Sequence, residues 1–156
     1  MKNLICEKFI FTGFGFDVLL HNVVIKKEHG EVYPDINFQE LKLLTAKELL
    51  RNSEKLSGKK LKFLRTFLKL SYQRLSSVIN VPASTLRSWE DRGDDFTGLT
   101  SSEERLLRVF AIDSILDLEK MYYEKLIVTI DYFDSTQKSS PISISLYPDY
   151  TYLKEA

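Results

Sequence analysis

The chain has 156 residues, 44% hydrophobic and 28% charged, a balance that suits one domain, or one small domain with substantial extensions. No apolar run approaches the roughly 18 residues that a membrane-spanning helix needs, and the single cysteine, Cys6, rules out an intrachain disulfide. The 22 basic and 22 acidic residues cancel, but unevenly: Arg51 to Arg92 hold ten basic against three acidic side chains, a local +7 that the remainder offsets with −7.

A basic middle between acidic ends favours phosphates locally, without long-range attraction by the whole molecule. The opening "MKNLICEKFIFTGFGF" sets Glu7 and Lys8 inside its apolar stretch and lacks a small-residue cleavage site. No secretory signal is expected, and a cytoplasmic setting is the simplest reading.

Residues 4 to 36 read mostly as strand. "LICEKFIF" and "DVLLHNVVIKK" are rich in β-branched and aromatic residues and are separated by the turn signal "TGFG". A hairpin turn is expected around Gly30, with Pro34 stopping the next strand near Tyr33. The period then changes. Asn37 and Glu40 fit a capping box, opening a helix to about Arg51 with Leu41, Leu44 and Leu49 along one side.

"RNSEKLSGKK" is the best boundary candidate, and a helix should follow from about Lys59 to Lys69. Leu61, Leu64 and Leu68 give it an apolar stripe, leaving Lys60, Lys62, Arg65 and Lys69 for the polar surface. Past the centre, "RGDDFTGLTSSEE" reads as a loop, with Gly93 as a helix C-cap. Ser101 and Glu104 form a second capping box, opening a helix that carries Leu106, Leu107, Phe110 and Leu116. "LIVTIDYF" and "PISISLY" both read as strands, and an antiparallel hairpin is the expectation.

The stretch that carries a function is "SYQRLSSVINVPASTLRSWE", residues 71 to 90. Ser71 caps a first helix whose buried side is Leu75, Val78 and Ile79. Ser76 is small where two helices cross steeply. Asn80 suits a left-handed turn position, Val81 pins the turn, and Pro82 fits a helix start. Leu86 and Trp89 face the preceding helices.

Ala83, Ser84, Thr85, Arg87 and Ser88 are left on the front and outer sides of the second helix. A helix fits the major groove of DNA, with its early residues near base edges. Arg87 suits the O6 and N7 acceptors of guanine, and Ala83 or the Thr85 methyl suits a thymine methyl. Ser71, Tyr72 and Gln73 are placed for phosphates, where they fix register. Lys59, Lys60, Arg74 and Arg92 are candidates for further backbone contacts.

"LSYQRLSSVINVPASTLRSWE" resembles the Xre-like (lambda repressor and Cro) helix-turn-helix family at Leu70, Ser71, Leu75, Val81, Ser84, Thr85, Trp89 and Glu90. The longer "LSGKKLKFLRTFLKLSYQRLSSVINVPASTLRSWE", followed by "ERLLRVF", is similar to the DNA-binding half of MqsA-like and HigA-like antitoxins. The upstream "FIFTGFGFDVLLHNVVI" resembles a strand-forming leader of related regulators. In this chain Tyr72 stands where the family usually has glutamine, Ser76 where it has alanine, and Asn80 where it has glycine. The paired Cys-x-x-Cys motifs of the MqsA-like zinc domain have no counterpart in a chain with one cysteine. The resemblance implies a repressor of its own promoter, within a toxin–antitoxin operon.

Other features suggest no catalysis. His21 and His29, with Cys6 upstream, make no recognisable zinc spacing. "GFG" at 13 to 15 lacks the rest of a phosphate loop, and the acidic pairs Asp94-Asp95 and Glu103-Glu104 have no partner base. Neither a cofactor nor an enzyme activity is expected.

The expectation is an α+β protein: a strand-rich region with one helix over 1–52, a helix-turn-helix DNA-binding domain over 53–124, and a C-terminal β-hairpin over 125–156. It would bind double-stranded DNA as a homodimer, with recognition helices about 34 Å apart. The terminal strands are candidates for the dimer or partner surface. The alternative is a protein-interaction module that sequesters a toxin or other partner and binds DNA weakly.

Overall fold

A computed structural model of the chain describes residues 4–116 and 141–145. In chain order they form β1 (Leu4–Phe11), β2 (Val18–Glu28), β3 (Glu31–Pro34), α1 (Phe38–Arg51), α2 (Gly58–Phe67), α3 (Tyr72–Ile79), α4 (Ala83–Glu90), α5 (Ser101–Leu116) and β4 (Ile142–Ser145). The class is α+β with N-terminal strands, as the residue pattern predicts. By their contacts the described residues divide into two units, 4–48 with 141–145, and 49–116.

In the first unit β2 is the centre. It pairs antiparallel with β1, Leu4 opposite Ile25 and Phe11 opposite Val18, and antiparallel with β3, Lys26 opposite Tyr33. The β2–β3 turn is made by His29 and Gly30, both with positive φ (51° and 85°), the backbone that a two-residue hairpin requires. Strand β3 ends at Pro34, which has no N–H to continue a ladder. Within β2, Asn22 at φ 53° interrupts the alternation: Val18 and Leu20 are buried before it and Val23 after it.

Strand β4 pairs with β2 in parallel, Val18 opposite Ile142 and His21 opposite Ser145. Ile142 and Ile144 share a buried face, as alternation predicts. His21 Nε2 and Ser143 Oγ share a hydrogen bond of 2.7 Å. The expected hairpin partner of this strand, residues 126 to 133, lies outside the described residues. Helix α1 starts where its cap predicts, with Asn37 Oδ1 accepting from the amides of Gln39 (2.9 Å) and Glu40 (3.2 Å).

In the second unit α2 opens at Gly58, with Ser57 Oγ accepting from the Lys60 amide. A Cβ at Gly58 would collide with the carbonyl oxygen of Trp89, so only glycine lets the start of α2 meet the end of α4. Helix α3 packs on α4 and α5, and α2 on α4.

Two expectations need correction here. The capping box of α5 is Thr100 with Glu103, not Ser101 with Glu104: Thr100 Oγ1 accepts from the Glu103 amide (3.2 Å), and Glu103 Oε2 accepts from the Thr100 amide (2.9 Å). Glu104 is buried instead and accepts from the Leu56 amide at 2.7 Å. Lys60 and Arg65, expected on the polar surface, are drawn inward, Lys60 to a buried pair with Glu54 (3.2 Å) and Arg65 to Glu90. Burial pushes the Lys60 ammonium below its ordinary range, while Glu54 pulls it back.

Arg108 is the largest polar side chain of this core. Its guanidinium donates to the carbonyls of Leu49 (3.2 Å), Leu50 (3.2 Å), Asn52 (2.8 Å) and Glu54 (2.7 Å), with Glu104 3.7 Å away. It thus satisfies carbonyls that the end of a helix leaves without intrahelical partners. The same side chain thereby ties the end of α1 and the segment that follows it to α5.

Candidate nucleic-acid interface

Helices α3 and α4 have eight residues each and are joined by Asn80, Val81 and Pro82. Ser71 Oγ accepts from the Arg74 amide at 3.1 Å, fixing the start of α3. Asn80 closes α3 in the left-handed region at φ 56°, ψ 46°, where a short polar side chain is tolerated better than a branched one. Buried Leu75, Ile79, Val81 and Leu86 bind the two helices to the unit. Four local expectations meet here: the cap, the left-handed turn, the pinning valine and the apolar side.

The face so held is polar. Ser84, Arg87 and Ser88 are exposed on α4, while Ala83 and Thr85 are half-buried beside them. Spacings of three and four residues put Ser84, Arg87 and Ser88 on one side of the helix. On α3, Gln73 and Arg74 are exposed. Arg92, just past α4, is exposed and donates to the Phe96 carbonyl at 3.2 Å. Exposed Lys62 and Lys69 extend the positive surface of the unit, and Lys59 is paired with Asp94 at 3.3 Å. Lys60 and Arg65 are withdrawn from the outward cations, but each takes with it an acid of the same segment, Glu54 and Glu90, so the local +7 is unchanged.

Beneath this face lies a polar network that binds three helices. Glu90 is buried, and its carboxylate accepts from Arg65 Nε (2.6 Å), Arg65 Nη2 (3.2 Å) and the Tyr72 hydroxyl (2.6 Å). Arg65 also donates to the Leu70 carbonyl at 3.1 Å. The Arg65 guanidinium lies 4.0 Å from the Tyr72 ring centroid, and that of Arg87 lies 4.8 Å from it. The hydrogen bond to Glu90 raises the Tyr72 phenol above its ordinary range, and the same carboxylate raises Arg65.

Comparison with protein-family models, with curated proteins and with solved structures finds no match to this chain. The reading of the site therefore rests on its own residues.

Ten of the twelve candidate contacts named from the sequence belong to one short segment, Ser71 to Arg92, but they do not have equal freedom. Ser84, Arg87 and Ser88 are open to solvent; the Ser71 hydroxyl caps its own helix; and the Tyr72 hydroxyl is taken by Glu90. Sequence reading missed Glu90 and Arg65 as the frame of the site. Their separation of 25 residues leaves no periodic signal, and only the unusual Tyr72 hinted that this position had a different task. Among the described residues, no group of three or more His, Cys, Asp or Glu side chains gathers as a metal site would require.

Proposed function

We propose that the chain is a sequence-specific DNA-binding regulator, with α4 entering the major groove and α3 lying across the backbone as a helix-turn-helix. The observation that carries this reading is the exposed, uncommitted row of Ser84, Arg87 and Ser88 on a helix whose other side is fixed by buried Leu86 and Glu90. A helix face with exposed small polar residues and one arginine whose hydrogen-bond donors are unspent among the described residues suits the width and donor–acceptor pattern of the groove. Arg87 would read guanine, a contact worth roughly 1–3 kcal/mol of discrimination, and Arg74, Lys62 and Lys69 would meet phosphates.

Under this proposal the protein acts as a homodimer on a pseudo-palindrome and represses by occupying a promoter. The motif resemblance makes its own promoter, in a toxin–antitoxin operon, the first site to test. The decisive experiment is binding of the purified protein to the DNA upstream of its gene and to a scrambled duplex, from low to near-physiological salt, with Arg87→Ala alongside. Preference for the upstream duplex that survives salt and weakens in Arg87→Ala is the expected result. Equal binding to both duplexes, fading steeply with salt, leaves only an electrostatic surface and defeats the proposal.

A second reading, a module that sequesters a protein partner, has its own support in β1. Leu4, Ile5 and Ile10 are each about 60% exposed on a strand that pairs only with β2 among the described residues. An apolar, open strand edge invites strand addition by another chain. Co-purification of a small protein with the chain, lost on charging Ile5 and Ile10, would favour it.

A further inference from the structure

We propose that Tyr72 is a positioning residue for Arg87: its ring is a shelf that holds the guanidinium before any duplex arrives, sharpening the preference for guanine. This rests on the DNA-reading function above and assigns to one residue the precision of its contact.

Three observations carry it. The ring is immobilised, because its hydroxyl donates to Glu90 at 2.6 Å and Glu90 is itself held by two bonds from Arg65. Arg87 lies over that ring, with its guanidinium carbon 4.8 Å from the centroid. And Arg87 is uncommitted: it is exposed, and among the described residues its guanidinium has no hydrogen bond or ion pair. Arg65, Arg92 and Lys59 nearby have all given donors to protein acceptors.

The chemistry follows from what an arginine gives up on binding. Its side chain has a large rotamer entropy, and the paired geometry at O6 and N7 of guanine uses only one orientation of the planar fork. A shelf that attracts the cation through the ring face restricts those rotamers in the free protein, so less freedom is lost on contact. Stacking uses the face of the guanidinium and leaves its edge, where all five donors lie, for the base. A hydroxyl that donates to a carboxylate also leaves more negative charge in the ring, which strengthens its hold on the cation.

The test has a part without DNA. Side-chain NMR of the full chain compares wild type, Tyr72→Phe and Tyr72→Leu, reading the Arg87 Hδ and Hε resonances. The ring should displace them upfield in wild type and Tyr72→Phe, and the displacement should vanish in Tyr72→Leu. Both variants lose the hydroxyl bond to Glu90, so general loosening moves both alike; only loss of the ring separates them. No displacement in wild type, or one that survives in Tyr72→Leu, overturns the inference. With duplexes selected from a random pool by wild type, Tyr72→Leu should lower the preference for guanine at the base read by Arg87 about two- to fivefold. Tyr72→Phe, which keeps the ring but not the hydroxyl, should lower it less than Tyr72→Leu does, and in an Arg87→Ala background neither should matter. An undiminished preference in Tyr72→Leu overturns the inference and leaves the DNA reading intact. If wild type selects no sequence while the NMR displacement is present, the DNA reading fails, and the guanine role with it, while the shelf stands.

Discussion

Arg65 grips Glu90 through two hydrogen bonds, 2.6 Å from Nε and 3.2 Å from Nη2, and so ties α2 to the last residue of α4. The geometry is the paired fork that arginine makes with a carboxylate and lysine cannot. The Glu90 side chain is 3% exposed and that of Arg65 13%, so removing Arg65 strands a buried charge rather than freeing it. Arg65→Ala is expected to cost about 3 kcal/mol, and Arg65→Lys to recover only part of that. The urea midpoint checks it: a loss below about 1 kcal/mol would mean the pair behaves as an ordinary surface bridge.

Asn80 makes a separable prediction. Its backbone lies at φ 56°, a region that costs an alanine roughly 1–2 kcal/mol and a glycine almost nothing. Asn80→Ala should therefore lower stability by about 1 kcal/mol, while Asn80→Gly stays within about 0.5 kcal/mol of wild type. Similar losses in both variants would show that the Asn80 side chain, not its backbone, matters.

These two sites mark what was legible in the sequence. Asn37, Ser71 and Asn80 act on amides and dihedrals within three residues of themselves, and their roles follow from residue type alone. The start of α5 shows where such reasoning fails. "TSSEE" contains two overlapping capping boxes, Thr100–Glu103 and Ser101–Glu104, with equal local merit. What chose between them was the amide of Leu56, 48 residues away, which took Glu104. Lys60 and Arg65 were misplaced for the same reason: their carboxylate partners are visible only once the chain has folded. Strand β4 was readable as a strand from its alternation, but its parallel pairing with β2, across more than 120 residues, left no local trace.

Arg108 is a stronger case of a partner set invisible to periodicity. Its four carbonyl acceptors lie 54 to 59 residues upstream. Arg108→Met preserves much of the volume but takes the guanidinium donors from those four carbonyls and the counter-charge from Glu104. A loss of about 3–5 kcal/mol is expected. Because the acceptors cluster at 49–54, amide hydrogen exchange should rise most over residues 50–60. A uniform rise, or one confined to α5, would show that Arg108 serves its own helix instead.

The pH dependence of the Tyr72–Glu90 bond has a definite sign. The bond raises the phenol above its ordinary value of 10.0, since ionising it would set two negative oxygens against each other. At a pH above that value the folded chain binds more protons than the unfolded one, so stability falls as pH rises. The contribution of the bond is thus fully present below about pH 10 and is lost as pH climbs through the raised value of the folded state. Tyr33, raised by Glu28, shifts in the same direction, and Lys60, lowered by burial, in the opposite one, so the bare profile of wild type mixes several groups. The difference between wild type and Tyr72→Phe removes the common terms. That difference should be constant from pH 7 to 9, at about 1 kcal/mol in favour of wild type, and shrink steadily beyond pH 10. Urea unfolding of both proteins across that range measures it. A difference that grows with alkali would mean the phenolate is stabilised in the fold by Arg65 and Arg87, and that the cations, not Glu90, dominate the surroundings of Tyr72.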